Sequence, residues 1–190
     1  MSDYPELAAR EPNQGHLALA ELERRGILLA IVTQNIDGLH QKAGNSPNRA
    51  FELHGNAHEL RCVENGHIWP AAHIRDRLLA GEDDPHCELC GSILRTGTIL
   101  FGEPLPQVAL QAAVRVSQMC DVMLVVGSSL VVNPAARLPV IAREHGASVI
   151  MINRTPTPLD GIADVHILGE AGVILSEIVR QLDAERSPSP

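Results

Sequence analysis

Short apolar runs of strand length recur along the chain, and stretches with a helical pattern of apolar residues separate them. The clearest runs read ILLAIVT at residues 27–33, DVMLVV at 121–126 and ASVIMI at 147–152. A nearly continuous apolar run, without alternation, is typical of a parallel strand covered on both faces. Strands that alternate with helices predict an α/β fold, in which an open parallel sheet has helices on both faces.

The remaining pattern extends this alternation over most of the chain. Helices are predicted at residues 14–25, 36–43, 107–119 and 134–145, and further strands at residues 50–54 and 164–168. Gly26 and Gly146 are placed to end the first and the last of these helices. A final helix places Ile174, Ile178 and Leu182 along one face.

Composition and charge indicate which kinds of molecule the protein can bind. With 45% hydrophobic and 20% charged residues, the 190-residue chain can bury a core in one domain with a small insert. A formal net charge of -8 argues against binding to nucleic acid or to anionic membranes. No apolar run approaches the roughly 20 residues of a membrane span, and the first residues lack the pattern of a signal peptide. These features predict a cytoplasmic protein that binds small molecules and proteins.

The sequence changes character between residues 55 and 95. This stretch holds three of the four cysteines, the only tryptophan and an acidic GEDDP segment. Such a composition predicts a small module held together by a metal. We therefore predict a main domain at residues 1–54 and 96–183, the small module at residues 55–95 and a disordered tail at residues 184–190.

The cysteines indicate which side chains hold the metal. Cys87 and Cys90 form a C-x2-C pair, and Cys62 could join them. In a reducing cytoplasm such a pair points to a metal site more than to a disulfide. Cys120 comes just before an apolar strand, and we expect it to be buried by packing.

Small or amide-bearing residues directly follow three of the predicted strands. They are Gln34-Asn35-Ile36-Asp37-Gly38, Gly127-Ser128-Ser129 and Asn153-Arg154-Thr155. Ligands of open parallel sheets bind at the carboxyl ends of the strands, and such groups suit a ribose, an amide or a phosphate. Each segment alone could equally be a turn or a helix cap.

Several segments together resemble the sirtuins, the NAD-dependent protein-lysine deacylases. They are TQNIDGLHQKAG at residues 33–44, ELHGN at 52–56, CELCG at 87–91, ILFGEPLP at 99–106, and Gly127-Ser128-Ser129-Leu130 with Ile152-Asn153. The resemblance runs from about residue 12 to about residue 182. It implies a Rossmann-like domain with a small zinc module, and a reaction that transfers the acyl group to ADP-ribose and releases nicotinamide.

The resemblance also implies roles for individual residues. His54 matches the base that accepts a ribose hydroxyl proton, and an imidazole can do so near neutral pH. The residues that match the NAD site are Gln34, Asn35, Asp37, Gly127, Ser128, Ser129 and Asn153. The residues that match the two strands flanking an acyl-lysine peptide are Phe101, Gly102, Glu103, Val131 and Val132.

The zinc ligands depart from the two C-x2-C pairs that are usual in sirtuins. Cys62, Cys87 and Cys90 match three thiolate ligands, but Asn65 stands at the fourth position. His67 is the most plausible replacement, which gives a Cys3His set for a tetrahedral Zn²⁺. The alternative is a module that folds without metal.

The start of the sequence departs more strongly from the family. Sirtuins open with a strand and a Gly-Ala-Gly-x-Ser turn that holds the diphosphate of NAD, and neither is found in this sequence. The resemblance places that strand in the middle of the sheet, so its two neighbours should each have one unpaired edge. NAD affinity should fall accordingly.

Three functions remain open at this point. The first is a deacylase whose opening segment lies upstream or is supplied by a separate chain. The second is a catalytically inactive module that binds a peptide or NAD. The third, an oxidoreductase, is disfavoured because nothing in the sequence matches residues for hydride transfer.

Overall fold

The structure is a computed structural model and describes residues 4–186. The helices are α1 (Tyr4–Ala8), α2 (Gln14–Arg24), α3 (Leu39–Lys42), α4 (Ala71–Leu79), α5 (Gln107–Met119), α6 (Leu138–Glu144) and α7 (Ala171–Arg186). The strands are β1 (Ile31–Thr33), β2 (Ala50–Glu52), β3 (Gly55–Cys62), β4 (Ile68–Pro70), β5 (Leu94–Thr98), β6 (Val122–Val126), β7 (Ser148–Asn153) and β8 (Val165–Leu168).

Two parallel sheets form the α/β part of the fold. β1 pairs with β2, and β6, β7 and β8 form a second sheet with β7 in the middle. This pairing confirms the predicted α/β class. Among the strands of residues 4–186, β1 and β6 each have one edge without a neighbour, so backbone pairing does not join the two sheets.

The apolar run at residues 27–33 was predicted to be one buried strand, and this is wrong for its first half. Only Ile31–Thr33 forms a strand, while Ile27 and Leu29 are 45% and 46% exposed. A parallel strand is buried on both faces where helices cover both faces of its sheet. Residues 27–30 precede the sheet and are not covered in this way, so the run begins at the surface.

Helices α2 and α7 pack side by side over the second sheet. Ala18 of α2, Leu175 of α7 and Ile152 of β7 belong to one almost fully buried cluster. The helices approach closely because glycines meet at their contact: a Cβ on Gly15 would lie 3.5 Å from the Cα of Gly172. This packing brings the first residues of both helices beside the ends of β6 and β7.

Two of the predicted helices begin later than expected. α3 begins at Leu39, because Gly38 takes a left-handed conformation with φ of 65°. The stretch at residues 134–145 opens with a 3-10 turn at Ala135–Arg137 and becomes α-helical at Leu138. The predicted bounds of α5 are confirmed.

Residues 55–98 form an antiparallel sheet with a helix packed on it. β3 is the central strand, with β4 on one side and β5 on the other. α4 packs Ala71 and Ile74 against Leu60 of β3 in a small core of its own. The module therefore has little apolar packing to hold it together.

The last helix extends beyond residue 183, where the main domain was predicted to end. α7 continues to Arg186 and so includes the first residues of the predicted tail, while residues 187–190 lie outside the described residues. Among residues 4–186, none of the helices combines the length and the apolar character needed to cross a membrane.

Gly55, at the start of β3, lies directly against the backbone of β5. A Cβ there would lie 2.0 Å from the carbonyl oxygen of Gly97, and φ is 75°. Gly26 has a similar φ of 71° but no atom within 4 Å of the same position. The two glycines thus share a backbone conformation that would strain a residue with a Cβ, and they differ in the space around it.

We expect Gly55→Ala to lower the free energy of unfolding by at least about 3 kcal/mol, because it adds a backbone clash to the strain of a positive φ. Gly26→Ala is the matched control and should cost about 1 kcal/mol from strain alone. Urea unfolding followed by circular dichroism measures both losses. Equal losses would show that the close contact with Gly97 is unimportant.

Candidate active site and metal centre

A cleft of about 590 Å³ opens where β6 and β7 end and where α2 and α7 begin. Its lining includes Gly127, Ser128, Ser129 and Asn153, four of the residues predicted to bind NAD. Parallel strands end at the same edge of a sheet, so residues far apart in sequence meet there. The volume is that of a small-molecule site.

Side chains connect the two parallel sheets at the inner end of the cleft. The Asn153 amide donates a hydrogen bond of 2.6 Å to the backbone carbonyl of Ser128. The Gln34 amide, just after β1, reaches the hydroxyl oxygen of Ser128 at 3.5 Å. The structure thus brings together Gln34, Ser128 and Asn153, which come from the ends of three different strands.

His54 lies in the two-residue connection between β2 and β3, close to the same place. Its ring Nδ1 is 3.0 Å from the backbone carbonyl oxygen of Gln34. A carbonyl oxygen can only accept a hydrogen bond, so Nδ1 carries the proton in the neutral ring and Nε2 has a free lone pair. Leu53, the neighbour of His54, is fully buried and anchors this connection.

Asn35 and Asp37 lie outside the cleft, although the resemblance implied that they bind NAD. Neither they nor Gln34 belong to the lining of the cleft. One carboxylate oxygen of Asp37 accepts a hydrogen bond of 3.1 Å from the backbone N–H of Leu39, which caps the start of α3. Asn35 is exposed and its backbone N–H is bonded to the Thr33 hydroxyl. Their roles at NAD stay predictions.

The predicted peptide-binding residues lie on two exposed segments. Phe101 and Val131 are well exposed, and Val132 is partly so. Glu103 forms a 2.6 Å ion pair with Arg95, which anchors its segment to β5. Neither segment is a strand among the described residues, and residues 101–103 form a turn, so the two strands that the resemblance implied are not seen here.

Cys62, His67, Cys87 and Cys90 come together in the small module, as the predicted set requires. Their ligand atoms all lie within 4.8 Å of one another. The Cys62 and Cys90 sulfurs are 3.3 Å apart, and the His67 Nδ1 lies 3.3 Å from the Cys87 sulfur and 3.7 Å from the Cys90 sulfur. Tetrahedral ligands at about 2.3 Å from Zn²⁺ are separated by about 3.7 Å, so the donors and their spacing fit zinc.

The surroundings favour the thiolate form, which a metal binds, for two of the three cysteines, while the pKa of the Cys90 thiol is raised. Burial opposes ionisation of Cys87, but hydrogen bonds, above all from the Trp69 indole and also from His67, lower the pKa of its thiol to about 6. The Trp69 nitrogen lies 3.4 Å from that sulfur. The backbone N–H of Asn65 likewise lowers the pKa of Cys62.

Some site residues were not found by the sequence analysis. Asn13 and Glu170 line the cleft, and Trp69 contacts Cys87. Asn13 caps α2 by accepting a hydrogen bond of 2.9 Å from the backbone N–H of Gly15, and an Asn before a helix is a recognisable signal. The roles of Glu170 and Trp69 depend on contacts with residues distant in sequence, so no local sequence pattern indicates them.

Amide and hydroxyl groups that converge at the ends of parallel strands, near a histidine with a fixed tautomer, are typical of an α/β protein that binds a nucleotide-like ligand, and this one carries a candidate metal module. The Sir2 family model matches residues 3–134. The chain therefore belongs to the Sir2 family, the sirtuins.

Individual relatives support the assignment to that family. The chain is 46% identical over 172 residues to NAD-dependent protein deacetylase 2 of Streptomyces coelicolor, a match that covers 90% of this chain and 71% of the relative. It is 47% identical over 178 residues to NAD-dependent protein deacylase 2 of Archaeoglobus fulgidus, covering 93% and 69%. A solved complex of Sir2 with a p53 peptide and NAD+ superimposes with a TM-score of 0.81 at 38% identity, covering 95% and 72%.

We expect the purified protein to hold one Zn²⁺, and His67→Ala to weaken zinc binding at least about tenfold, because the substitution removes one of four ligands. Competition with a chromophoric chelator measures the affinity. Cys120→Ser is the control, since Cys120 is a free thiol outside the four-residue cluster. Unchanged affinity in His67→Ala would rule out His67 as the fourth ligand.

Proposed function

We propose that the chain is an NAD-dependent protein-lysine deacylase, which transfers an acyl group from lysine to ADP-ribose and releases nicotinamide. The hydrogen bond between the His54 ring and the Gln34 carbonyl carries the proposal, because it leaves Nε2 free to accept a proton. The names of the relatives, which are NAD-dependent deacetylases and deacylases, support the same reaction.

NAD, when bound, supplies ADP-ribose as the acceptor of the acyl group and nicotinamide as the leaving group. His54 would then accept the proton of a ribose hydroxyl at Nε2, a role that contributes about 10²–10⁴-fold to the rate of comparable reactions. Ser128, which lines the cleft, and Gln34, which reaches the Ser128 hydroxyl from beside the cleft, would orient that ribose. Gly127, Ser129 and Asn153 would hold the rest of the cofactor.

The acyl-lysine peptide would lie between the two exposed segments. Phe101, Gly102 and Glu103 would pair with it on one side, and Val131 and Val132 on the other. Extended peptides bind in this way by completing backbone hydrogen bonds of unpaired segments. The exposure of Phe101 and Val131 supports this assignment.

The zinc module has a structural role in this proposal. We keep the predicted division into a main domain at residues 1–54 and 96–183 and a module at residues 55–95. The four ligand atoms lie together inside the module and away from the cleft lining, so a metal there stabilises the fold instead of acting in the reaction. Thiolate ligands need reducing surroundings, which supports the predicted cytoplasmic location.

An extended segment between β1 and β6 would complete the sheet, and we propose that it comes from upstream sequence or from a separate chain. The unpaired edges of β1 and β6 support this idea. Neighbouring strands of a sheet lie about 4.8 Å apart, so a strand inserted between β1 and β6 would separate them by twice that distance. Side chains that follow β1 and β6 could still touch across such a gap, and Gln34 and Ser128 touch only through the ends of their side chains.

We expect His54→Ala to lower the rate of nicotinamide release at least about 100-fold, because no other group replaces the base. The assay supplies NAD and an acetyl-lysine peptide, both to the chain itself and to a version extended upstream. His145→Ala, at the exposed end of α6, is the control and should retain full activity. Release by His54→Ala at the unsubstituted rate would refute the role of His54.

Comparing the chain itself with the extended version distinguishes a deacylase from a module that binds without catalysis. Activity of the extended version alone would show that the added segment completes the NAD site. No activity in either version would favour a peptide- or NAD-binding module without catalysis.

A further inference from the structure

A second cavity lies beside the exposed segment at Val131 and Val132. Its volume is about 540 Å³, a size at which proteins bind ligands. Asn133 and Arg137 supply the polar groups of its lining. The rest of the wall is apolar and consists of Leu130, Pro134, Ala136, Val140 and Leu159.

The cavity and the exposed segment share one stretch of chain. Leu130 is buried and has a φ of 53°, a left-handed conformation that is uncommon for a bulky residue and persists where the surrounding packing enforces it. Leu130 and Asn133 both line the cavity, and they directly flank Val131 and Val132. A peptide that pairs with Val131 and Val132 would therefore pass beside the cavity.

Arg137 brings an uncompensated positive charge to this cavity. It follows Ala136, whose backbone N–H donates a hydrogen bond of 2.9 Å to the Val132 carbonyl. Arg137 is exposed, and it is the only charged residue among the described residues of the lining. In the described part of the chain, no carboxylate forms an ion pair with it. On the opposite segment, the charge of Glu103 is already offset by Arg95.

We propose that the cavity binds an acidic side chain of the substrate peptide, and that Arg137 makes the protein prefer peptides with a glutamate close to the acyl-lysine. The inference rests on the proposed deacylase function, because it names the peptides that the site accepts. A glutamate fits because its methylene groups can pack on the apolar wall while its carboxylate pairs with the guanidinium. The formal net charge of -8 repels acidic peptides in general, so such a preference requires a local positive charge.

Binding of fluorescein-labelled peptides, measured by fluorescence anisotropy without NAD, tests the inference. Each peptide carries one acetyl-lysine and a single glutamate at one of the nearest positions on either side, and a matched peptide has glutamine in place of the glutamate. Side chains of an extended peptide alternate between two faces, so the preference should appear at some positions only. There the glutamate peptide should bind about three- to fivefold more tightly, the effect of one exposed ion pair, and high salt should reduce the difference.

Two arginine substitutions show whether position or net charge matters. Arg137→Glu should reverse the preference, so that the glutamine peptide binds more tightly. Arg115→Glu is the matched control, because Arg115 is also exposed and without an ion pair in the described part of the chain, but lies on α5 outside the cavity lining. It changes the net charge equally and should leave the preference intact. An equal effect of Arg115→Glu would overturn the inference.

The remaining outcomes are also decisive. Equal binding of the glutamate and glutamine peptides, or a preference of the same size at every position, would overturn the inference. A peptide with the glutamate but no acyl-lysine, if bound as tightly as the full peptide, would make the cavity a separate carboxylate site and would overturn the link to the substrate. Failure to bind any peptide would overturn both this inference and the assignment of the peptide segments.

Nicotinamide release, measured separately with NAD and the same peptides, distinguishes this inference from the proposed function. A preference for glutamate without release would contradict the proposed function and leave the preference standing. Release together with equal binding of both peptides would support the proposed function and overturn the inference.

Discussion

Backbone pairing between parallel strands is the constraint on which the candidate site depends. In a parallel sheet all strands end at the same edge, so the residues that follow β6, β7 and β8 form one continuous rim. β1 and β2 share a second rim in the same way. No backbone bond joins the two sheets within residues 4–186, so the contact of Gln34 with Ser128 is what connects the two rims.

The candidate base is joined directly to the antiparallel sheet of β3, β4 and β5. The His54 carbonyl accepts a hydrogen bond of 2.9 Å from the backbone N–H of Ile99, and Gly55 pairs with Thr98 of β5. The His54 ring donates a hydrogen bond to the carbonyl of Gln34, which directly follows β1. His54 therefore lies between the parallel pair of β1 and β2 and the antiparallel sheet, and hydrogen bonds on both sides hold it in place.

Local sequence patterns predicted most helices and strands. The features that they did not predict depend on contacts between residues distant in sequence. The apolar runs identified the parallel strands because burial on a sheet requires such runs, and the glycines at positions 26 and 146 identified helix ends. The exposure of Ile27 and Leu29 could not be predicted from the run itself, because it depends on which parts of the folded chain pack against residues that precede β1. The late start of α3 followed from the left-handed conformation of Gly38, which the sequence permits but does not require.

The position of the only tryptophan gives the chain a built-in optical probe of one part of the fold. Trp69 lies on β4, donates a hydrogen bond to the Cys87 sulfur and stacks on His73. Its emission therefore reports on the surroundings of the thiol cluster, while circular dichroism reports mainly on the helices, most of which lie outside the module. Recorded together, the two signals distinguish the melting of the module from that of the parallel sheets.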